Sequence, residues 1–162
     1  MTISEADLVH LRRAVELARE ALAAGDGPFG SVLVDGDGVE LFADRNREAS
    51  TGDETRHPEF EIARWAAANL SVDERATATV YTSGEHCPMC SAAHAWVGLG
   101  RIAYVASAEQ ITEWRRSLGA EPSPVRVLPI TTVAPGLPVA GPVDELVPEV
   151  RALIEQAIQS SQ

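Results

Sequence analysis

Apolar residues recur every three or four positions over residues 8–22, with polar residues between them. This period predicts an amphipathic helix, which Ser4 can cap and Gly25 can end. Two short apolar runs follow at 31–34 and 39–43, and the sequence Asp-Gly-Asp-Gly between them is typical of a hairpin turn. The chain is therefore predicted to begin with a helix and two antiparallel strands.

The rest of the chain alternates between the same two patterns. The predicted helices cover residues 57–70, 88–97, 109–118 and 143–159, and the predicted strands cover 77–82, 101–106 and 125–130. A strand, a helix and a strand in short succession indicate a parallel pair with a right-handed crossover. We therefore expect an α/β fold, a three-layer α/β/α sandwich built on a mixed five-stranded sheet.

The length and the composition fit one folded domain. Hydrophobic residues make up 45% of the 162 residues and charged residues 23%, which is ordinary for a globular protein. We interpret residues 1–162 as a single domain of ordinary size. Within it, residues 119–162 are expected to form a proline-rich arm followed by a C-terminal helix.

The charge disfavours two classes of partner. The chain has 13 Lys and Arg against 24 Asp and Glu, a formal net charge of −11, which would repel phosphate backbones and anionic lipid. We therefore expect neither nucleic acid nor a membrane as a partner. The first residues lack the basic start and the apolar run of a signal peptide, so we expect a cytoplasmic protein.

The two cysteines lie close together. Cys87 and Cys90 are one helical turn apart at the start of a predicted helix. Free backbone N–H groups and the positive end of the helix dipole stabilise thiolates at such a place. The pair alone suits either a metal site or a thioredoxin-like redox site, and a third ligand elsewhere in the chain would distinguish them.

His57 is the candidate third ligand, because it begins another predicted helix and Glu59 follows it by two residues. The sequence His-Pro-Glu, followed by Cys-Pro-Met-Cys from Cys87 to Cys90, matches the spacing of zinc-dependent nucleobase deaminases. One imidazole and two thiolates give Zn²⁺ three ligands and leave the fourth tetrahedral position for water. Glu59 is then predicted to be the catalytic residue that moves protons between water and substrate.

With these motifs, residues 5–107 resemble the cytidine deaminase-like superfamily, in the branch with guanine deaminases, yeast-type cytosine deaminases and tRNA adenosine deaminases. The resemblance extends to the segment Pro-Phe-Gly around Phe29 and to Asp-Arg-Asn ending at Asn46. It implies that Phe29 lines a base pocket and that Asn46 hydrogen-bonds the base. Glu85 matches the acidic residue of the branch's Glu-Pro-Cys-x-x-Cys segment and is a further candidate for substrate binding.

The chain departs from that branch at two positions, and both changes leave the ligands intact. Pro58 stands where alanine is commoner in the branch. His86 stands where the branch usually has proline, and we expect it at the rim of the pocket, either contacting the substrate or exposed to solvent. After residue 106 the match weakens. There Glu113 is expected on a solvated helix face, and Trp114 is expected to pack against the core or an interface.

The resemblance implies a function. It implies zinc as the cofactor and hydrolytic deamination of a small amino-heterocycle, guanine-like first and cytosine-like second, in a homodimer. Two alternatives stay open. One is a tRNA adenosine deaminase, which the acidic charge disfavours. The other is a non-catalytic structural zinc module, in which His86 or His94 would supply a fourth ligand.

Overall fold

The computed structural model describes residues 2–161, which place helices on both faces of a five-stranded sheet. The helices are α1 (Glu5–Ala23), α2 (Glu48–Thr51), α3 (Pro58–Asn69), α4 (Val72–Thr77), α5 (Pro88–Trp96), α6 (Ala108–Ser117), α7 (Ile130–Val133) and α8 (Val147–Ser160). The strands are β1 (Gly30–Val34), β2 (Glu40–Arg45), β3 (Thr79–Gly84), β4 (Arg101–Ala106) and β5 (Val139–Ala140).

The sheet has the strand order β2-β1-β3-β4-β5. The first three strands in this order pair antiparallel, whereas β3, β4 and β5 pair parallel. The predicted α/β/α sandwich on a mixed five-stranded sheet is therefore confirmed. Among residues 2–161, no helix is both long enough and apolar enough to span a membrane.

The two faces of the sheet pack against different helices. Val32 and Val34 of β1 belong to a core with α1 and α8, whereas Leu33 between them packs with α3 and α5 on the opposite face. This alternation follows from strand geometry, which points successive side chains to opposite faces. Both helices that carry the metal-site motifs therefore lie on the same face of the sheet.

Gly30 allows the first strand to lie close against α1. A Cβ atom at this position would lie 2.4 Å from Leu17 Cβ and 2.5 Å from the backbone oxygen of Ala14. Only glycine avoids this overlap, because a methyl group would meet helix backbone that cannot move aside locally. The close packing fixes the start of β1 and, with it, the neighbouring Phe29.

The predicted strand over 125–130 is wrong. Val125 and Val127 are 55% and 41% exposed, and the short helix α7 begins at the end of this run. The fifth strand is instead Val139–Ala140, which pairs parallel with Ile102–Ala103 of β4. Apolar alternation alone did not identify it, because a two-residue strand is too short to show a period.

Besides α7, two short helices, α2 and α4, were not predicted from the sequence. Ser71 caps α4 in a capping box with Glu74, and this extra turn moves the start of β3 to Thr79. The other helix, α2, follows β2 directly and ends at Gly52, whose φ of +66° suits glycine. This short helix turns the chain back, so that its first residue, Glu48, lies near the start of α3.

Candidate active site

Two helix starts meet at the centre of the candidate site. His57 is the N-cap of α3 and Cys87 is the N-cap of α5, and a proline follows each in the first helical turn. Proline is suited to this position because its missing N–H has no helical partner. His57 Nδ1 lies 3.6 Å from Cys87 Sγ and 3.6 Å from Cys90 Sγ.

These three ligand atoms have the spacing of a zinc site. They all lie within 4.8 Å of one another. With Zn–S near 2.3 Å and Zn–N near 2.1 Å, a tetrahedral site would separate nitrogen from sulfur by about 3.6 Å. His57 Nδ1 has this separation from both sulfurs. The donor set and its spacing therefore fit Zn²⁺ held by His57, Cys87 and Cys90.

Hydrogen bonds within the group set its protonation. The hydrogen bond with the Cys90 side chain, and then the one with His57, lower the pKa of Cys87 to about 4. The same contact with Cys87, together with burial, raises the pKa of Cys90. Hydrogen bonds with Cys87 and Glu48 raise the pKa of His57 to about 10. Binding of a metal ion to this group would release the protons of His57 and Cys90.

Glu59 lies beside the group in the first turn of α3. It is 6% exposed, and its Oε1 lies 3.0 Å from the hydroxyl of Thr82, which accepts a hydrogen bond from Ser31. Burial raises the pKa of Glu59 to about 7, against the opposing effect of the His57 charge. A carboxyl group with this pKa can both accept and donate a proton at neutral pH.

Phe29 and Asn46 lie together next to the end of β3. The backbone N–H of Asn46 donates to the carbonyl oxygen of Phe29 at 2.9 Å, and both side chains border Gly27. The Phe29 ring also lies against Gly84, the last residue of β3, where Ile111 of α6 approaches as well. The structure therefore brings the candidate pocket residues to the strand end that precedes Cys87.

Glu48, which no sequence motif singles out, lies between Asn46 and His57. Its Oε2 accepts a hydrogen bond from Asn46 Nδ2 at 2.6 Å, and its Oε1 lies 3.3 Å from His57 Nε2. Burial raises its pKa, but hydrogen bonds from His57 and Asn46 outweigh this effect and lower it overall. The only sequence signal was its place two residues after Asn46, and surface glutamates are too common for that to stand out.

The carboxylate of Glu85 contacts two helix starts. Its Oε2 accepts the backbone N–H of Ala108 at 2.8 Å, and its Oε1 accepts that of Ile130 at 2.9 Å. These contacts hold the beginnings of α6 and α7 beside the end of β3. They also satisfy backbone donors that a helix leaves free at its N-terminus.

The solvent-exposed alternative for His86 is wrong, whereas substrate contact by its ring stays a prediction. His86 is 0% exposed, and its ring packs edge-on against His94 with the ring centroids 5.4 Å apart. Neighbouring side chains point to opposite sides of extended backbone, so the segment that directs Cys87 toward the site directs His86 into the interior. Burial lowers the pKa of His86 well below its ordinary value, which keeps the ring neutral.

The remaining candidates lie away from the ligand atoms. His94 Nε2 is 2.9 Å from the carbonyl oxygen of Gly100, and neither His94 nor His86 belongs to the group with metal-ligand spacing found within residues 2–161. A closed zinc module with either histidine as fourth ligand is therefore wrong. Trp114 packs against the core, and Glu113 pairs with Arg116 on the exposed face of α6.

The chain is similar in sequence to several known deaminases. A probable cytosine deaminase from Schizosaccharomyces pombe is 32% identical over 120 residues, which cover 74% of this chain and 72% of that protein. A guanine deaminase from Bacillus subtilis is 38% identical over 97 residues, covering 59% and 62%. A tRNA-specific adenosine deaminase from Haemophilus influenzae is 34% identical over 104 residues, covering 64% and 60%.

A solved structure shares the fold. The protein NE0047, solved in complex with 2,6-diaminopurine, superposes with a TM-score of 0.74 at 21% identity, covering 100% of this chain and 86% of that one. Residues 4–106 match the family described as the cytidine and deoxycytidylate deaminase zinc-binding region. The chain, with its His57, Cys87 and Cys90 group inside the matched region, therefore belongs to this deaminase family.

Proposed function

We propose that this protein is a zinc-dependent hydrolytic deaminase of a small free nucleobase or related amino-heterocycle. One observation carries the proposal: a buried carboxyl group, Glu59, lies beside three side chains that have the spacing of zinc ligands. Three protein ligands leave one coordination position for a reacting group, which distinguishes a catalytic zinc site from a structural one. His57, Cys87 and Cys90 are proposed as the ligands.

Bound zinc would act as a Lewis acid and make a nucleophile available at neutral pH. Glu59 has the complementary role in this proposal. It accepts a proton from the attacking water and donates it to the ring nitrogen next to the reacting carbon. It then accepts the remaining proton of the added hydroxyl group and donates that proton to the leaving amine. The amino group of the ring is replaced by oxygen, and ammonia leaves. Thr82 holds the carboxyl group in place from the sheet.

Phe29 and Asn46 are the proposed base contacts. The aromatic ring offers a flat apolar surface for a planar heterocycle. The Asn46 amide uses one N–H to bond Glu48 and keeps a second N–H for a ring substituent. Glu85, with its carboxylate bonded to two helix starts, is proposed to shape the same end of the pocket rather than to read the base.

The substrate is proposed to be guanine-like first and cytosine-like second. The relatives named guanine deaminase and cytosine deaminase support both candidates. NE0047, which has a similar fold and was solved with the purine 2,6-diaminopurine, supports placing the guanine-like substrate first. The tRNA-specific relative shares the family, but a formal net charge of −11 disfavours a polyanionic substrate. Phosphate contacts by Lys and Arg dominate the affinity of proteins for RNA.

The proposal predicts ammonia release from free bases. Purified zinc-loaded protein should release ammonia from guanine fastest, from cytosine more slowly, and not measurably from tRNA. Ammonia release and mass spectrometry of the product measure this, and nucleosides and other aminated heterocycles complete the panel. A sample stripped of zinc by a chelator is the control. Turnover of tRNA with none of any free base would contradict the proposed substrate class.

We also propose that residues 1–162 act as one domain and that the protein is a homodimer, as the resemblance implies. Val143 N donates to Val105 O at 2.9 Å, and α8 packs on α1, so residues 119–161 return to their own sheet. A dimer would then form without exchange of this arm. Size-exclusion chromatography with light scattering should give twice the chain mass, and a single-chain mass would contradict the dimer.

A further inference from the structure

Among the described residues, Glu48 is the one carboxylate that contacts both a proposed metal ligand, His57, and a proposed base contact, Asn46. One of its oxygens lies 3.3 Å from His57 Nε2, on the side of the ring opposite the nitrogen that faces the two sulfurs. The other accepts from Asn46 Nδ2 at 2.6 Å. A histidine that ligates zinc through one nitrogen commonly donates its other N–H to a carboxylate, which fixes the ring.

We propose that Glu48 is a positioning residue that fixes the His57 ring for the metal and the Asn46 amide for the substrate at the same time. The inference rests on the proposed role of His57 as a zinc ligand. Its support is the geometry: Glu48 is half-buried, and its backbone N–H also donates to Asn46 Oδ1 at 3.0 Å. The Asn46 amide is therefore held at both of its ends by a single residue.

A carboxylate is required at this position because both neighbours donate. His57 Nε2–H and Asn46 Nδ2–H each need an acceptor, and an ionised carboxylate accepts on both oxygens. A glutamine has one acceptor oxygen and one NH₂ group, so it can satisfy only one of the two donors. Rotation of the Asn46 amide would not help, because its oxygen would lose the backbone bond from Glu48.

The nearby Asp53 does not share this role. It is exposed, and its Oδ1 accepts from the backbone N–H and the hydroxyl of Thr55 at 2.9 and 2.7 Å. An asparagine would keep that oxygen acceptor and so preserve the turn. Asp53→Asn is therefore a matched control for Glu48→Gln, because each replaces a carboxylate with an amide in the same connection between β2 and α3.

Zinc affinity tests the proposal without measuring turnover. Competition with a chromophoric chelator should show zinc affinity about 10- to 100-fold lower for Glu48→Gln than for the unaltered protein. Asp53→Asn should keep the affinity of the unaltered protein. Circular dichroism should show equal folding of the three proteins. Equal zinc affinity in the folded Glu48→Gln variant would overturn the role of Glu48.

A double variant separates positioning from simple loss of structure. In Asn46→Asp with Glu48→Gln, the new carboxylate accepts from the glutamine NH₂ group, and the glutamine oxygen is free to accept from His57 Nε2–H. Zinc affinity should therefore return to within about threefold of the unaltered protein, whereas catalysis should not recover because the proposed base contact has changed. If Glu48→Gln fails to fold, this double variant still tests the proposal, and a 10-fold or greater loss of affinity in it would overturn the role.

The same titration distinguishes the two proposals. An unaltered protein that binds no zinc would refute the proposed metal site, and with it the role of Glu48 in holding a ligand. An unaltered protein that binds zinc tightly, together with a Glu48→Gln variant that binds it equally well, would refute the positioning role alone.

Discussion

Glu59→Gln should lower the rate of ammonia release by about 10²- to 10⁴-fold, the usual contribution of a positioned acid or base. Glutamine keeps the shape of the side chain and its contact with Thr82 but cannot carry a proton between water and the ring. Zinc content and folding should stay unchanged, because Glu59 lies outside the group of ligand atoms. Single-turnover ammonia release and metal analysis of the same preparation measure both outcomes.

Glu61→Gln is the matched control for this change. It alters a carboxylate of the same helix, two residues further on, which contacts arginines rather than the ligand group. The rate of this control should stay within about twofold of the unaltered protein, since it leaves the proposed acid and base in place. Full ammonia release by Glu59→Gln would contradict the proton-transfer role.

Cys87→Ser should abolish zinc binding and, with it, turnover. The variant removes a soft thiolate ligand but keeps a good N-cap, because serine accepts backbone hydrogen bonds at helix starts. The sulfur of Cys87 accepts from the backbone N–H of Cys90 at 3.5 Å, and the serine oxygen can replace it there. Zinc affinity should fall by more than about 100-fold, the upper end for loss of an outer-shell partner.

Chelator competition measures this loss, and thermal unfolding followed by circular dichroism checks the helix start. Met89→Leu is the control, since it changes the same turn with nearly equal volume and no ligand atom. It should bind zinc as the unaltered protein does. A Cys87→Ser protein that retains both zinc and turnover would contradict the proposed coordination.

The parts of the site that were predictable from sequence share a local cause. His57 and Cys87 each stand just before a proline that begins a helix, and the helix then fixes the next turn. The positions of Glu59 and Cys90 follow from that turn without knowledge of the tertiary structure. The alternation of helices and strands likewise predicted the sandwich, because the longer elements, which make up most of the layers, show their periods.

The features that escaped prediction depend on contacts between distant segments. Glu48 reaches His57 only because the unpredicted helix α2 returns the chain, and nothing in its sequence neighbourhood indicates that turn. His86 is turned inward by the backbone that aims its neighbour at the site. β5 pairs with β4 through only two residues, and one valine followed by an alanine is too short a run to show the alternation of a strand.

The Glu85 carboxylate links the loop before Cys87 to the C-terminal part of the chain. This residue directly follows β3, two positions before a proposed ligand, and its carboxylate accepts a hydrogen bond from the backbone N–H of Ile130 in the C-terminal arm. Through this hydrogen bond, the C-terminal arm helps to hold the loop that contains Cys87 in place. Without this contact, the Glu85 carboxylate would keep only its bond to the backbone N–H of Ala108, and the loop before Cys87 would lose one of its two anchors.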